Sequence, residues 1–295
     1  MRKKIDIQSI LVPNENMAKY TTFKIGGDAK YLCFPKNIDE LKTIVKFAKS
    51  NKEKYFILGK GSNTVFRDKG YDGIVINMSN YEKLITIDNG LLKVSAGTSL
   101  FELNMFLFQN SYAGLEWSFG IPGSIGGAVI MNAGAYNGEI GNHIEKVEVL
   151  INNRRRIIFR ENLQFSYRYS SLKNTKNIIL NVWLRLSKGD QKEIRRLQKY
   201  YYDQRKEKQP LEFPNAGSIF KRENNIIPAK IIDKLCLKGV KINGVEVSKK
   251  HSGFIVKTGD ATTSDLEQLI EKIKNVVKQE EGVTLNTEIE IVGEK

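Results

Sequence analysis

The spacing of hydrophobic residues changes along the chain and predicts a mixture of helices and strands. Four long segments are predicted as α-helices from this spacing and from their polar faces: Asn37–Lys52, Ser99–Asn110, Asp190–Glu207 and Ser264–Glu281. Asn37 is a favourable N-cap for the first of them, because its side chain can accept a backbone N–H bond there. Ser264 and Glu267 have the spacing of a capping box at the start of the last one.

Short apolar or alternating runs between the helices predict strands. They lie at Tyr55–Leu58, Gly73–Asn77, Leu84–Asp88, Leu91–Ala96, Ile144–Ile151, Arg155–Arg160, Ile178–Leu186, Phe254–Lys257 and Leu285–Val292. Asn89-Gly90 between two of these runs is the signal of a tight hairpin. A short helix is predicted at Ala229–Cys236, and residues 1–20 are predicted as a helical or irregular lead-in. Gly26-Gly27 breaks two further extended runs within Tyr20–Pro35.

Two prolines mark a break in the last third of the chain. Gln209-Pro210 and Phe213-Pro214 follow the predicted basic helix, and proline disfavours helical conformation in the residue before it. A chain of 295 residues is long enough for two hydrophobic cores. We therefore expect a mixed α/β domain with many strands, followed by a smaller α/β domain.

Composition places the chain among globular proteins. Hydrophobic residues make up 41% of it and charged residues 27%, and no run approaches the roughly 18 apolar residues of a membrane span. The N-terminal segment begins with basic residues, but Asp6, Gln8 and Pro13 interrupt its apolar part, so it has no signal-peptide core. We expect a cytoplasmic protein without membrane insertion.

Cysteine and histidine are too scarce for a zinc cluster. The chain has two of each, Cys33, Cys236, His143 and His251, so no metal site is expected. Cys33 lies in an apolar run and is expected to be a small core residue, and the same is expected of Cys236.

The formal net charge of +14 favours anionic partners. The basic residues are scattered, apart from Arg154–Arg156 and the helix around Arg195–Lys208. The first cluster is typical of a hairpin turn and the second of a solvated helix face. Because a nucleic-acid-binding surface usually clusters its basic and stacking residues, this charge favours phosphorylated small molecules and no nucleic-acid partner.

Glycines are concentrated in Gly120–Asn142, with Pro122 and Ser124 among them and no charged residue before Glu139. Glycine allows the main chain to approach a ligand closely. Exposed N–H groups at the start of a short apolar helix, predicted at Ala128–Met131, would bind an anion. A nucleotide or phosphate site is the favoured interpretation, and a buried packing turn is the alternative.

A second glycine-rich loop, Gly59-Lys60-Gly61-Ser62-Asn63, follows a predicted strand. It is not a Walker A loop, because no GK[ST] ends it, and it lacks the third glycine of a Rossmann fingerprint. Backbone N–H groups with a serine and an asparagine suit a pyrophosphate, although an ordinary turn has the same composition. One loop could hold the pyrophosphate and the other an extended ring system.

Three further segments place single polar side chains among apolar or aromatic ones. Arg168 lies within Phe165–Ser170, where it could bind a carboxylate or phosphate or could be a surface arginine. Ser218 lies within Asn215–Lys221, where its hydroxyl could donate a proton or bond the backbone. Glu288 and Glu290 share one face of a predicted alternating strand, which could equally be a solvated acidic face.

Six segments, in this order, resemble UDP-N-acetylenolpyruvoylglucosamine reductase, a flavoprotein family of bacterial peptidoglycan synthesis. They resemble its N-terminal signature, its two FAD loops and its three catalytic segments, and they lie at Thr21–Gly27, Gly59–Asn63, Gly120–Ala135, Ser166–Arg168, Asn215–Lys221 and the strand around Glu288. The resemblance runs from about residue 20 to the C-terminal end. Six ordered motifs are far more specific than any one of them.

The resemblance implies an α+β fold with a two-lobed FAD-binding domain of the vanillyl-alcohol-oxidase (PCMH) type, followed by a smaller α/β substrate-binding domain. The expected divisions are a lead-in at residues 1–20, the FAD-binding domain at 21–188, and a connecting helix with the substrate-binding domain at 189–295. The chain is similar to the short form of the family, because there is no room after Leu186 for the loop whose tyrosine closes over the substrate in the long form.

The resemblance also implies the reaction and its residues. NADPH would reduce a non-covalently bound FAD, and UDP-N-acetylenolpyruvoylglucosamine would be reduced to UDP-N-acetylmuramate. Arg168 and Glu288 would flank the substrate carboxylate, where negative charge develops, and Ser218 would give a proton to the α carbon. Expected FAD contacts come from the two glycine-rich loops: Gly59, Gly61, Ser62, Asn63, Pro122, Gly123, Ser124 and Gly127.

The sequence departs from the family near the expected sugar-nucleotide site. Lys221 matches, but Arg222-Glu223 replaces the more usual Asn-Pro, and Glu246 stands where a glutamine is common. Lys221 and His251 are expected to contact the UDP-sugar. Glu290 is a rival to Glu288, and only the register of the motif separates the two.

Two other functions compete with this interpretation. A flavin oxidase of the same fold would use oxygen, but it gives no reason for the Ser218 and Glu288 segments. Some such oxidases carry a covalent flavin, for which His143 is the histidine nearest the glycine-rich stretch in sequence. A non-catalytic binder of nucleotide sugars or nucleic acid would suit the net charge and would be colourless.

Overall fold

The computed structural model describes residues 5–223 and 225–295. In these residues the α-helices are α1 (Ile38–Ser50), α2 (Leu100–Gln109), α3 (Ile125–Ile130), α4 (Gln191–Lys208), α5 (Pro228–Lys234) and α6 (Thr263–Glu281). The four long helices predicted from sequence are confirmed to within two residues at each end. Within the described ranges, no helix is long and apolar enough to cross a membrane.

Most strands are short. The first eleven are β1 (Val12–Asn16), β2 (Asp28–Cys33), β3 (Tyr55–Leu58), β4 (Thr64–Phe66), β5 (Tyr71–Asn77), β6 (Ile85–Asp88), β7 (Leu91–Ser95), β8 (Tyr112–Ala113), β9 (Gly134–Ala135), β10 (Gly138–Glu139) and β11 (Ile144–Ile151). The rest are β12 (Arg154–Phe159), β13 (Phe165–Ser166), β14 (Tyr169–Ser170), β15 (Ile178–Leu184), β16 (Ser187–Lys188), β17 (Asn215–Ser218), β18 (Lys241–Ile242), β19 (Val245–Val247), β20 (Phe254–Lys257) and β21 (Glu290–Val292).

By compactness the chain divides into two units, each discontinuous in sequence. The first comprises the described residues up to Val12, with Leu32–Lys60 and Ile74–Gln204, and the second comprises Pro13–Tyr31, Gly61–Gly73 and Arg205–Lys295. These units are defined by packing and not by ligand binding. The contiguous domains expected at residues 21–188 and 189–295 therefore stay a prediction.

The first unit is built on an antiparallel five-stranded sheet with the order β12-β11-β15-β7-β6. Its register aligns Val147, Val182 and Val94 on three adjacent central strands, and all three are fully buried. Leu103 of α2 and Val129 of α3 belong to the same core. Burying each such side chain contributes about 1.5–3 kcal/mol, so this face of the sheet fixes both helices, and α3 belongs to the glycine-rich stretch.

The second unit carries an antiparallel sheet with the order β17-β20-β19-β18 and a parallel pair of β21 with β4. Helix α6 presents an apolar stripe at helical spacing to the core of this unit: Leu266, Leu269, Ile270, Ile273 and Val277. Phe23 and Ile219 lie in the same core. A further sheet has the order β1-β2-β5-β3, in which β3 and β5 run parallel.

Several local predictions are wrong. The capping box of α6 is made by Thr262 and Asp265, not by Ser264 and Glu267. Cys33 is buried as expected, but Cys236 is exposed in a turn after α5, with a φ of +55°. The lead-in, predicted as mostly helical or irregular, agrees in its 3-10 helix Met17–Tyr20 and differs in strand β1, and its residues 1–4 lie outside the described residues.

One extended run and one turn were also misplaced. The run predicted before Gly26 forms no strand, whereas the one after it forms β2. The three arginines at Arg154–Arg156 are not a hairpin turn but begin the exposed edge strand β12, and the turn itself is Asn152-Asn153, where both residues have positive φ.

Candidate functional site

The glycine-rich stretch is held in place by main-chain hydrogen bonds. Ser124 is the N-cap of α3, and its Oγ accepts the N–H of Gly127 at 3.3 Å. The flanking residues pair with the segment before α2, where Leu100 N–H donates to the Gly123 carbonyl and Ile125 N–H to the Thr98 carbonyl, both at 2.9 Å. Helix α3 therefore begins three residues earlier than predicted.

The two glycine-rich loops meet at Gly59 and Ser124. A Cβ at Gly59 would lie 2.3 Å from the Oγ of Ser124, closer than real Cβ contacts allow. Gly127 differs, since it is exposed and a Cβ there would meet only that Oγ, at 3.4 Å. A Cβ at residue 59 would therefore displace the Ser124 hydroxyl, whereas a Cβ at residue 127 would leave it in place.

Gly61 and Asn63 support the backbone of the second unit. Gly61 has a φ of +63°, and a Cβ there would lie 2.2 Å from the Tyr20 carbonyl oxygen. The side-chain amide of Asn63 donates to the Glu288 carbonyl at 3.1 Å, and the Asn63 carbonyl accepts the N–H of Glu290 at 2.9 Å. Ser62 between them is half-buried. This part of the loop is thus tied to the segment that carries Glu288.

Arg168 occupies the tip of a two-residue hairpin between β13 and β14. Ser166 pairs with Tyr169, so Tyr167 and Arg168 form the turn. Arg168 has a φ of +55°, a conformation that costs a non-glycine residue about 1–2 kcal/mol. Its guanidinium lies 4.9 Å from the centre of the Tyr167 ring, and the residue is half-buried. A strained turn persists only where its surroundings hold it.

Asn132 is one of the groups that hold this hairpin, and the sequence analysis did not identify it. It is fully buried. Its side-chain amide donates to the Ser166 carbonyl and to Glu139 Oε2, both at 2.9 Å, and its Oδ1 accepts the N–H of Gly141 at 3.0 Å. Since Ser170 Oγ also donates to the Ile130 carbonyl at 2.9 Å, the hairpin is fixed at both strands to the glycine-rich stretch.

Ser218 ends strand β17 directly after a β-bulge. Asn215 pairs with Val256 and Ser218 with Phe254, so β17 has one more residue than β20 between these pairs. Gly217 lies in the bulge with a φ of +78°, and a Cβ there would meet nothing within 4 Å. Bulges of this kind redirect the side chain that follows them.

The segment carrying Glu288 lies beside the one carrying Ser218. Glu288 N–H donates to the Ile219 carbonyl at 2.7 Å, and Lys221 N–H donates to the Asn286 carbonyl at 2.9 Å. These bonds flank an antiparallel bridge between Phe220 and Thr287. The structure thus brings Ser218, Lys221 and Glu288 together on adjacent segments of the second unit, while Arg168 belongs to the first.

The strand predicted at Leu285–Val292 is shorter than expected. The chain bends at Ile289, and only Glu290–Val292 forms a strand, in parallel pairing with β4. Glu288 lies before the bend and is half-buried, whereas Glu290 lies after it and is exposed. The prediction of a single alternating strand with the carboxylates of Glu288 and Glu290 on one face is therefore wrong.

His251 lies in the turn between β19 and β20. Its Nδ1 accepts the N–H of Gly253 at 3.1 Å, and its ring packs edge-on against Phe254. Burial lowers the pKa of His251 below its usual value, a hydrogen bond to its own backbone opposes this, and the charges of Arg222 and Lys238 lower it further. The lowered pKa favours the neutral imidazole, and because Nδ1 accepts the Gly253 N–H, Nε2 carries the proton of that form.

The glycine-rich stretch has the chemistry that FAD requires. A dinucleotide needs N–H and hydroxyl donors for its pyrophosphate and an uncharged surface for its ring system. Residues 120–138 contain no charged side chain, and Pro122 and Gly127 are exposed. Ser124 and the glycines around it supply short donors with no bulky side chain. The residues present therefore fit the cofactor.

Two family models match the chain. One, described as an FAD binding domain, matches residues 29–155. The other, described as the C-terminal domain of UDP-N-acetylenolpyruvoylglucosamine reductase, matches residues 209–292. The first range includes Gly59, Ser124 and Asn132, and the second includes Ser218 and Glu288.

Similar proteins cover nearly the whole chain. A UDP-N-acetylenolpyruvoylglucosamine reductase of Caldanaerobacter subterraneus subsp. tengcongensis is 42% identical, over 99% of this chain and 97% of its own. One of Clostridium novyi is also 42% identical, over 95% and 91%. The solved structure of UDP-N-acetylenolpyruvylglucosamine reductase from Thermus caldophilus superposes with a TM-score of 0.81 at 32% identity, over 95% of this chain and 97% of that one.

Proposed function

Since the chain belongs to the UDP-N-acetylenolpyruvoylglucosamine reductase family, we propose that it reduces UDP-N-acetyl-3-O-(1-carboxyvinyl)-glucosamine to UDP-N-acetylmuramate. The proposal includes FAD as a non-covalent cofactor, NADPH as the hydride donor, and a place in peptidoglycan precursor synthesis in the cytoplasm. The chain has the fold class expected from its sequence, a PCMH-type FAD-binding domain followed by a smaller substrate-binding domain.

The observation that carries the proposal is the arrangement of the Ser218 and Glu288 segments. A β-bulge directly before Ser218 and a backbone bond from Glu288 to Ile219 place a hydroxyl and a carboxyl on neighbouring segments. A flavin oxidase needs neither group. A reductase of an enol ether needs a proton donor and polar groups at the substrate carboxylate, which is what these side chains offer.

FAD, when bound, supplies the transfer of hydride from NADPH to the terminal carbon of the substrate's C=C bond. We assign its binding to Gly59, Gly61, Ser62 and Asn63 in the first loop, and to Pro122, Gly123, Ser124 and Gly127 in the second. Backbone N–H groups and the hydroxyls of the two serines would bind the pyrophosphate.

The remaining groups act on the substrate. Arg168 is a permanent cation that stabilises the negative charge developing at the substrate carboxylate. Glu288, protonated or through a water, hydrogen-bonds the same oxygens. The Ser218 hydroxyl donates its proton to the α carbon, so that hydride and proton together saturate the double bond. Lys221 and His251 bind the UDP-sugar, Lys221 as a cation for its phosphates and His251 through its Nε2–H.

A single-turnover experiment tests this proposal. Purified enzyme is bleached with NADPH without oxygen, and UDP-N-acetylenolpyruvoylglucosamine is then added. We expect the wild type to be reoxidised by the substrate. We expect Ser218→Ala to bleach normally. We expect its rate of product formation to fall by a factor of about 100 or more, as for the loss of a general acid. Ser187→Ala, which removes an exposed hydroxyl, is the matched control and should match the wild type.

Two other outcomes would count against it. If oxygen alone reoxidises the wild type, the chain is a flavin oxidase of the same fold. If the protein is colourless and retains no flavin, it is a binder and not a redox enzyme.

A further inference from the structure

The segment Thr21–Gly27 is prominent in the sequence but has no part in the proposed chemistry. In the structure, Phe23 and Ile25 are buried in the core of the second unit, together with Ala216 and Ile219 of the Ser218 segment. The segment therefore packs against the strand that presents Ser218. A role in supporting that strand follows directly from this packing.

Thr22 connects this segment to two others by hydrogen bonds. Its Oγ1 donates to the Asn215 carbonyl at 2.7 Å, across 193 residues of sequence. Its backbone N–H donates to the Gly61 carbonyl at 3.0 Å. One residue thus bonds to both the first glycine-rich loop and the first residue of β17. The bond to β17 depends on the side chain, whereas the loop keeps the backbone bond and receives from the Thr22 hydroxyl only a longer contact, 3.5 Å to the Gly61 carbonyl.

Asn215 is the residue from which the bulge before Ser218 starts. Its Oδ1 accepts the N–H of Gly217 at 2.9 Å, and its side-chain amide donates to the Phe213 carbonyl at 2.8 Å. These bonds close the turn, and the pairing with β20 resumes at Ser218. A shift of the Asn215 carbonyl would therefore move the bulge and, with it, the hydroxyl of Ser218, which lies three residues further along the chain.

We propose that Thr22 is a positioning residue for Ser218: its hydroxyl fixes the Asn215 carbonyl and thereby the bulge that directs the proton-donating side chain. This inference rests on the proposed function, because it assigns Thr22 a part in the proton-transfer step. The competing explanation is that the bond only stabilises the fold. A stabilising bond would affect both half-reactions alike, whereas a positioning bond affects the one that needs the proton.

The test uses holoenzyme variants in the two half-reactions. Thr22→Val keeps the shape of the side chain and the backbone N–H, and it removes the donor. Thr22→Ser keeps the donor. Thr43→Val is the matched control, because the Thr43 hydroxyl donates to the Asp39 carbonyl at 2.8 Å within α1. Should Thr22→Val not yield holoenzyme, Thr22→Cys replaces it, since a thiol is a weak donor.

We expect reoxidation by UDP-N-acetylenolpyruvoylglucosamine to slow about five- to tenfold in Thr22→Val, the fold-change that one lost hydrogen bond produces. Bleaching by NADPH should stay within about twofold of the wild type, because Gly61 keeps its backbone bond. The solvent deuterium isotope effect on reoxidation should increase as proton transfer becomes more limiting. Thr22→Ser should have the reoxidation rate and the solvent isotope effect of the wild type, and Thr43→Val should change neither quantity.

The inference is overturned if Thr22→Val slows the two half-reactions equally or leaves reoxidation unchanged, or if Thr22→Ser is as slow as Thr22→Val. A wild type that the substrate does not reoxidise overturns the proposed function first, and this inference with it. The two failures are distinct, because the first appears only in the variants and the second in the wild type.

Discussion

The side-chain amide of Asn63 donates a 3.1 Å hydrogen bond to the carbonyl oxygen of Glu288. One of these residues belongs to a loop assigned to FAD, and the other is assigned to the substrate carboxylate. The bond fixes the main chain of Glu288 directly before the bend at Ile289. A residue of the cofactor loop therefore supports the position of a catalytic candidate within the second unit.

We expect Asn63→Ala to lower the free energy of unfolding by about 1 kcal/mol and also to slow reoxidation by the substrate. Asn51→Ala is the control, because Asn51 donates to the Phe47 carbonyl at 2.9 Å at the end of α1. It should cost similar stability and leave turnover intact. Urea unfolding and stopped-flow reoxidation measure the two effects. Equal turnover in the two variants would contradict a link between Asn63 and Glu288.

A second prediction concerns Asn132. Asn132→Asp keeps the shape but replaces the donor to the Ser166 carbonyl with a carboxylate, next to the carboxylate of Glu139. Because a second negative charge is then buried beside that of Glu139 and the Ser166 carbonyl loses its donor, we expect a loss of unfolding free energy on the order of 3 kcal/mol. Asn142→Asp, at an exposed residue of the same stretch, should be near neutral. Thermal unfolding of the two holoenzymes compares them, and similar midpoints would show that the buried amide is dispensable.

Gly59 gives a third prediction. A Cβ at residue 59 forces the Ser124 hydroxyl away from the Gly127 N–H, and the loss of this cap costs about 1 kcal/mol. We expect Gly59→Ala to purify with less bound FAD and to lose it at lower temperature, measured by flavin absorbance and fluorescence. Gly259→Ala should bind FAD normally, because its Cβ would meet the nearest atom only at 3.7 Å. Full flavin content in Gly59→Ala would remove Ser124 from the cofactor site.

The fourth prediction follows from the lowered pKa of His251. The unfolded imidazole titrates near about pH 6.5, so below that pH the unfolded chain binds the proton more readily than the folded chain. The contribution of His251 to stability is therefore fully present above the unfolded value and is lost as pH falls through the folded pKa. We expect the urea midpoint of the wild type to fall on acidification, and to fall less in His251→Gln. Asn80→Gln, at an exposed residue whose side chain does not titrate, is the control and should keep the wild-type slope. A slope unchanged in His251→Gln would refute the burial of a neutral imidazole.

The sequence was sufficient for the long helices and for most of the longer strands, because their apolar periodicity reflects which faces are buried, whereas many strands of two or three residues were missed. Helix α6 shows where it was insufficient. Thr262/Asp265 and Ser264/Glu267 have the same capping-box spacing, and the structure selects the first pair because the Asp68 carboxylate accepts the N–H groups of Thr263 and Ser264. A contact across nearly 200 residues of sequence leaves no local signal.

The same limit applies to the last strand. Thr287 pairs with Phe220, whereas Glu290 pairs with Thr64, so the chain must bend between two partners. Alternation in the sequence continues across that bend and hides it. The sequence therefore predicted too long a strand and placed Glu288 and Glu290 on the same face of it.

For the site, family resemblance supplied what periodicity could not. The two glycine-rich loops were identifiable from composition, and Ser218, Arg168 and Glu288 could be assigned roles only through the resemblance. Asn132 and Thr22 were missed, because their partners Ser166 and Asn215 become neighbours only after folding. An asparagine directly after a short apolar helix was the single local signal for Asn132.

The extra residue in β17 has a consequence for how this enzyme can change in evolution. Removing either Ala216 or Gly217 would restore equal spacing between the pairs Asn215–Val256 and Ser218–Phe254. The deletion would keep these pairs but remove the bulge, and with it the bend and the added twist that redirect the side chain after it. The direction of the Ser218 hydroxyl is thus set by the number of residues before it. A one-residue deletion that alters no assigned side chain would therefore impair its function, whereas a substitution that leaves both the bulge and its hydrogen bonds in place would preserve it.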